Sequence, residues 1–86
     1  MPELPELSER DRAILQFEAR SWPHQGRKEA AILETFGLTS ARYHQLLLKV
    51  IAKPEALAAE PVLVKRLQRL VARRAQARAA REFRAS

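Results

Sequence analysis

One glycine, in the middle of residues 29–47, constrains this chain more than any other position. Apolar residues recur at helical spacing on both sides of Gly37, and Thr39 follows where a helix N-cap belongs. Glycine adopts the left-handed backbone that ends a helix without a steric penalty, and a threonine hydroxyl can accept a hydrogen bond from a free amide of the next helix. The stretch therefore predicts a helix, a short turn and a second helix, the pattern of a helix-turn-helix.

The two faces of this motif differ in chemistry. At about 100° per residue, the apolar side chains point into the angle between the helices. This predicted core set is Ile32, Leu33, Phe36, Leu38, Tyr43, Leu46, Leu47 and Val50. The opposite side of the second helix carries Ser40, Ala41, Arg42, Gln45 and Lys49. Arginine can pair with guanine and glutamine with adenine in a major groove, so this side is a candidate surface for reading DNA.

The rest of the chain predicts an all-α fold, a three-helix core with a long basic C-terminal helix. Residues 1–7 contain two prolines and two glutamates and are expected to be a flexible lead-in. A first helix is capped by Ser8, with Asp11 completing an acidic capping box, and continues to Trp22, a core anchor before the helix-breaking Pro23. We expect the turn 23–26, a helix from 27 or 28 to 36, and a helix from 40 to about 52.

The last helix is predicted to begin at Pro61, after a short helical turn within residues 55–60. Its first half carries an apolar stripe of Leu63, Val64, Leu67, Leu70 and Val71. At the same angular position Arg74, Arg78 and Arg81 continue the stripe. We therefore divide the chain into the lead-in 1–7, a helix-turn-helix domain 8–71 and an Arg/Ala-rich helical extension 72–86 that becomes ordered against an anionic partner.

The charge distribution indicates a polyanionic partner. Residues 1–60 contain eight Lys and Arg residues and nine acidic residues, whereas residues 61–86 contain eight and one. The whole net charge of +6 therefore lies in the last helix. Double-stranded DNA is the expected partner. Ser40, Arg42 and Gln45 are the candidate base contacts, and the candidate phosphate contacts are Thr39, Lys49, Arg74, Arg78 and Arg81. For Arg27 and Lys28 two alternatives remain: their side chains lie in solvent, or they contact a phosphate beside the docked helix.

A protein-interaction module is the alternative. His44, Leu48 and Ile51 extend the apolar surface of the third helix sideways and are the candidate protein interface. A partner such as RNA polymerase or a sigma factor could cover this surface while the arginines meet an acidic face. A second copy of the chain is a further candidate. RNA binding is less favoured, because the sequence offers no exposed aromatic platform for single-stranded bases.

Several classes of function are excluded at this stage. We expect no enzyme and no cofactor, because there is no glycine-rich phosphate loop and no nucleophile with a base beside it. No cysteine is present and His24 and His44 stand far apart, so no metal site is expected. The chain has no long apolar run and no export signal. A cytoplasmic, nucleoid-associated protein is therefore predicted.

The motifs resemble a domain-of-unknown-function family of short actinobacterial proteins. Members begin near the present Leu7-Ser8-Glu9-Arg10 and carry a Phe-Gly-Leu-(Ser/Thr)-x-x-Arg-Tyr core, here residues 36–43, and the match continues at 54–57 and 63–67. The resemblance implies an actinobacterial cytoplasmic protein and no particular activity.

The same core is similar to region 4 of bacterial sigma factors, a helix-turn-helix that binds promoter DNA and meets polymerase-bound regulators. Two positions depart from these patterns. Leu33 stands where the helix-turn-helix usually has a small residue at the helix crossing, which is expected to widen the angle between the helices. His44 stands where the family usually has a second aromatic residue.

Overall fold

The computed structural model describes residues 3–85, which form five α-helices and no strand. The all-α fold predicted from the sequence is confirmed. The helices are α1 (Glu9–Ala19), α2 (Gln25–Phe36), α3 (Ser40–Ile51), α4 (Pro54–Ala59) and α5 (Pro61–Ala85). No helix of this described part is long and apolar enough to cross a membrane.

The helix ends confirm the capping residues read from the sequence. The Ser8 hydroxyl accepts a hydrogen bond from the Asp11 amide at 3.1 Å, and the Thr39 hydroxyl accepts one from the Arg42 amide at 3.1 Å. Gly37 has a left-handed φ of 66°, and its amide donates to the Leu33 carbonyl at 2.8 Å. Both α4 and α5 begin at a proline, whose missing N–H costs nothing in the first turn.

The connection between α1 and α2 differs from the prediction. Helix α1 ends at Ala19 rather than Trp22, and α2 begins at Gln25, so that Gly26 lies inside the helix. The carbonyl of Phe17 explains the earlier end. It accepts from the Arg20 amide at 3.3 Å and from the Trp22 indole Nε1 at 2.9 Å, which satisfies a group that a longer helix would have bonded. Trp22 still packs on the core, stacked on Phe17 with 4.6 Å between ring centroids.

The core joins α5 to the first three helices. Ile14 of α1, Ile32 of α2, Leu47 of α3 and Val64 of α5 are buried together. Leu67 of α5 is buried in the same cluster, whereas residues 72–84 are exposed. The first half of α5 is therefore part of the folded body, and the second half is helix without burial.

The prediction that Leu33 belongs to the core is wrong. Its side chain is 61% exposed, whereas neighbouring Ile32 is buried. The packed side of α2 consists of Lys28, Ala31, Ile32 and Phe36, and Leu33 lies about 100° from Ile32 in the direction away from Ala31. Leu33 therefore does not lie at the helix crossing and cannot widen it.

The chain ends are described in part. Residues 3–6 are exposed and outside any helix, and Leu7 is half-buried against the core. The first two residues of the predicted lead-in 1–7, and Ser86 of the predicted extension 72–86, lie outside the described residues.

Candidate nucleic-acid interface

Helix α3 presents one apolar and one polar face. Its buried face consists of Tyr43, Leu46, Leu47, Val50 and Ile51. Its exposed face consists of Ala41, Arg42, Gln45, Leu48 and Lys49. Because the buried face is fixed by core packing and the helix start by Thr39, the exposed face has a defined direction relative to the rest of the molecule. Three predicted nucleic-acid contacts, Arg42, Gln45 and Lys49, share it.

Two of these side chains contact each other. Nη1 of Arg42 donates a hydrogen bond to Oε1 of Gln45 at 3.1 Å, and both residues are exposed. Residues three apart on a helix are neighbours, so the bond needs no distortion. A guanidinium has five N–H donors, which leaves Arg42 with donors for a further acceptor. The side chains that we expect to read bases are therefore coupled.

Helix α5 lies alongside α3. Gln68 Nε2 donates to the Ile51 carbonyl at 2.8 Å, at the C-terminal end of α3. Further along α5, a groove of about 210 Å³ separates the two helices, lined by His44, Leu48, Val71, Arg74, Ala75 and Arg78. Since Gln68 meets the end of α3 and Arg74 meets its middle, the two helices run antiparallel. The groove thus brings two of the three predicted tail arginines to the flank of α3.

Arg81 is not among the residues that line this groove. It lies about one turn beyond Arg78 on the exposed part of α5. Thr39, the N-cap of α3, is exposed at the N-terminal end of that helix.

Ser40 takes a different position from the other predicted base contacts. It is half-buried and lines a cleft of about 100 Å³ between α2, α3 and α5. Lys28, Tyr43, His44 and Arg74 line the same cleft. Ser40 therefore faces α5 rather than sharing the outward direction of Arg42 and Gln45.

The predicted protein interface is only partly at the surface. Leu48 is 38% exposed and His44 is half-buried, and both line the groove beside α5. The expectation that Ile51 lies at this surface is wrong, because Ile51 is buried in the core and only 5% of it is exposed. Its position close to α4 and α5 explains the burial, because the Ile51 carbonyl is itself bonded by Gln68 of α5.

Behind α3 lies a buried carboxylate that the sequence reading missed. Glu18 of α1 is buried, and its Oε2 accepts from the Tyr43 hydroxyl at 2.5 Å. Its Oε1 pairs with Lys28 Nζ at 3.0 Å. Burial of the Tyr43 ring, and then the bond to Glu18, raise the pKa of Tyr43 well above its usual range. Lys28, which was predicted either to lie in solvent or to contact a phosphate, is paired with Glu18 in this structure.

A second buried carboxylate ties α1 to the residue before α4. Asp11 is 1% exposed, and its Oδ2 accepts from Lys53 Nζ at 2.5 Å. Asp11 Oδ1 is buried without a hydrogen-bond partner, and Arg10 Nε lies 4.0 Å from it. The side chain of Asp11 is therefore directed to Lys53, which corrects its assignment as the acidic member of a capping box.

A sequence signal for both carboxylates existed. Asp11 and Glu18 stand three or four positions from Ile14 and Leu15, so all four residues fall on the same face of α1. A charged residue on an apolar face indicates a buried partner, since burial of an unpaired charge is costly. The partners Tyr43 and Lys53 are distant in sequence and could not be identified from the pattern.

Comparison with known families identifies one match. A family model described as "Protein of unknown function (DUF3263)" matches residues 6–79, and the chain therefore belongs to this family. No curated protein and no solved structure matches the chain. Among the described residues there is no cluster of three or more His, Cys, Asp or Glu side chains that could hold a metal ion.

Proposed function

We propose that this member of the DUF3263 family binds double-stranded DNA and acts as a small transcriptional regulator. In this proposal α2 and α3 form a helix-turn-helix, and α3 enters the major groove as the recognition helix. The protein is a binding module rather than an enzyme, needs no cofactor, and works at the nucleoid in the cytoplasm.

The observation that carries the proposal is the placement of cationic side chains around α3. Arg42, Gln45 and Lys49 share its exposed face, and Arg74 and Arg78 line the groove on its flank. An α-helix fits the major groove, and the flanking phosphates lie on either side of a helix inserted there. Arg42 and Gln45 are assigned to base edges in this arrangement.

The phosphate contacts surround these base contacts. Lys49 on α3 and Arg74 and Arg78 on α5 are assigned to the DNA backbone. Thr39, at the N-terminal end of α3, is a further contact, because the amides of a helix start favour an anion. Arg81 extends the contact along α5, and Ser40, facing the cleft beside Arg74, contacts a base edge only after its side chain turns outward.

Charge supports the same partner. Eight of the sixteen Lys and Arg residues lie in residues 61–86, where the only acidic residue is Glu82. Residues 72–84 of α5 are exposed, so their arginines carry no burial cost and are available to a polyanion. Contacts of this kind supply most of the sequence-independent part of DNA affinity.

The α2–α3 pair is also proposed to be similar to region 4 of bacterial sigma factors, and the protein to be actinobacterial. Of the two departures from these patterns, Leu33 projects into solvent, so it leaves the α2–α3 crossing unaffected. His44 lies in the groove beside Arg74, where an imidazole can donate to a phosphate.

Selection from a random duplex library, followed by fluorescence anisotropy on the enriched duplex, tests the proposal. The expected result is enrichment of one short motif, and weaker binding of it by an Arg42→Ala, Gln45→Ala double variant. A Lys65→Ala, Arg69→Ala variant is the control, because both residues are exposed on the side of α5 opposite Leu67. No enriched motif, or equal losses in both variants, would contradict recognition by α3.

A second candidate function rests on the groove beside α3. Leu48 is exposed there next to Arg74 and Arg78, a combination that suits an acidic, partly apolar protein surface. An RNA polymerase- or sigma-factor-associated module is therefore the alternative. Affinity purification from native lysate, with and without nuclease, separates the two: a partner retained after nuclease treatment supports the module, and a partner lost supports DNA.

A further inference from the structure

The exposed face of α2 has an unusual composition for a solvent-facing surface. Leu33 is largely exposed, and Glu29 and Glu34 stand one turn before it and directly after it. Ala30 completes this group, which we name the acidic face of α2. A small residue beside Leu33 leaves its side chain standing above the surface, where another molecule can approach closely. The face thus offers one apolar knob between two carboxylates.

A surface of opposite character lies at the junction of α1 and α5. This basic cleft has a volume of about 330 Å³. Its lining comprises Glu18, Ala19, Arg20, Ser21, Trp22, Lys28, Arg66, Leu67 and Leu70. Leu70 is 36% exposed over the buried Leu67, and the exposed guanidinium groups of Arg20 and Arg66 stand at the rim.

The net charge of the basic cleft is positive because its single carboxylate is already paired. Glu18 is bonded to Tyr43 and to Lys28, so that Lys28 and Glu18 neutralise each other. Arg20 and Arg66 remain, and no ion pair to either is found within the described residues. The cleft therefore presents an apolar floor between two cations, the complement of the acidic face of α2.

We propose that the acidic face of α2 of one copy docks in the basic cleft of a second copy. Leu33 contacts Leu70, and Glu29 and Glu34 pair with Arg20 and Arg66. A single chain cannot make this contact with itself, because Ile32 and Lys28 hold the opposite side of α2 against the core. When both copies contribute both surfaces, the contact closes as a two-fold dimer.

This inference does not rest on the proposed DNA binding. Its residues lie on α2, at the end of α1 and in the first half of α5, and none of them is an assigned DNA contact. Self-association is therefore measured without nucleic acid, and its failure leaves the DNA proposal standing.

A charge-swap experiment tests the contact. Sedimentation velocity of the wild-type protein, in a concentration series at low salt, is expected to show self-association that weakens as salt is added. A Glu29→Arg, Glu34→Arg variant and an Arg20→Glu, Arg66→Glu variant are each expected to stay monomeric. When the two are mixed, the unaltered acidic face of the cleft variant can dock in the unaltered cleft of the other variant. The second contact of the dimer is restored with its charges exchanged, and a complex should reappear.

Two further variants test the apolar contact and the effect of a charge reversal outside the cleft. Leu33→Ala is expected to raise the dissociation constant about tenfold or more, since the buried leucine is lost. Lys65→Glu reverses a charge on the side of α5 that faces away from Arg66 and Leu70, and should associate like wild type. Circular dichroism of each variant checks its helix content.

Three outcomes overturn the proposal. These are a wild-type protein that remains monomeric up to millimolar concentration, charge-reversed variants that associate as strongly as wild type, and a mixture of the two variants that forms no complex. Any one of them shows that the two surfaces do not meet.

Discussion

The hydroxyl of Tyr43 donates to the buried carboxylate of Glu18 across 2.5 Å, and so links α3 to α1. The same carboxylate holds Lys28 of α2 at 3.0 Å. One acidic side chain thus connects three helices behind the surface proposed to read DNA. Because Tyr43 also contacts Phe17 and Phe36 through its ring, its polar and apolar contacts act at the same position.

Stability should fall at alkaline pH because of Tyr43. Burial and the Glu18 bond raise its pKa in the folded protein, whereas the unfolded chain titrates near the ordinary value of about 10. Below that pH both states hold the proton and there is no effect. Above it the unfolded state loses a proton that the folded state keeps, so the unfolding free energy falls by about 1.4 kcal/mol per pH unit.

Denaturant titrations from neutral to strongly alkaline pH, compared between wild type and Tyr43→Phe, measure this effect. Tyr43 is the only tyrosine in the chain, so phenolate absorbance reports its ionisation directly. Ionisation should coincide with unfolding. A phenol that titrates in the folded protein near its ordinary pKa, or an equal alkaline loss in Tyr43→Phe, would contradict the prediction.

The Asp11–Lys53 pair should respond unequally to loss of either partner. Lys53→Met leaves the Asp11 carboxylate buried, with one oxygen already unpartnered, and should cost about 1–3 kcal/mol of unfolding free energy. Asp11→Asn should cost less, because the partly exposed lysine can turn to water. Urea unfolding of both variants measures the difference, and a larger loss in Asp11→Asn would show that the buried charge is not the cause.

Substitution of Gln45 or Arg42 by alanine should reduce sequence-specific binding. Each loss is expected to be about 1–3 kcal/mol on the selected duplex and small on a random duplex, because base contacts carry specificity. Since Arg42 donates to Gln45, the two losses should not add in the double variant. Competition binding gives all three values, and equal losses on both duplexes would exclude base readout by these residues.

Leu67→Ala tests whether α5 belongs to the folded body. Leu67 is buried in the core cluster with residues of α1, α2 and α3, so truncation should destabilise the whole protein by about 2–5 kcal/mol. Val62→Ala is a suitable control, because Val62 is an exposed aliphatic residue of the same helix. Chemical denaturation measures both, and a near-neutral Leu67→Ala would mean that α5 is detached in solution.

Deletion of residues 72–86 should separate stability from DNA affinity. Residues 72–84 are all exposed and none belongs to the core cluster, so the melting temperature should change little. Duplex binding should weaken, and the slope of log K against log salt should fall by about 0.9 for each lost phosphate contact. An unchanged affinity and slope would show that the extension does not contact DNA.

Local sequence signals determined most of the helix ends, although not the end of α1 or the start of α2. Ser8, Gly37, Thr39 and the prolines at 54 and 61 each act on backbone groups within a few residues, so their effect could be read directly from the chain. The periodic apolar positions likewise gave most of the core, including Leu67 of α5. The candidate DNA contacts on the exposed face of α3 follow from the same periodicity and stay a prediction.

Only the tertiary structure decided what depends on contacts between distant residues. Ile51 is buried because α5 packs at the end of α3, where Gln68 bonds the Ile51 carbonyl, and helical periodicity within α3 cannot specify this contact. The partners of Asp11 and Glu18 lie 42 and 25 residues away, and the antiparallel path of α5 brings Arg74 and Arg78 beside α3. Sequence periodicity fixes directions around one helix axis, whereas pairings between helices depend on how the axes pack.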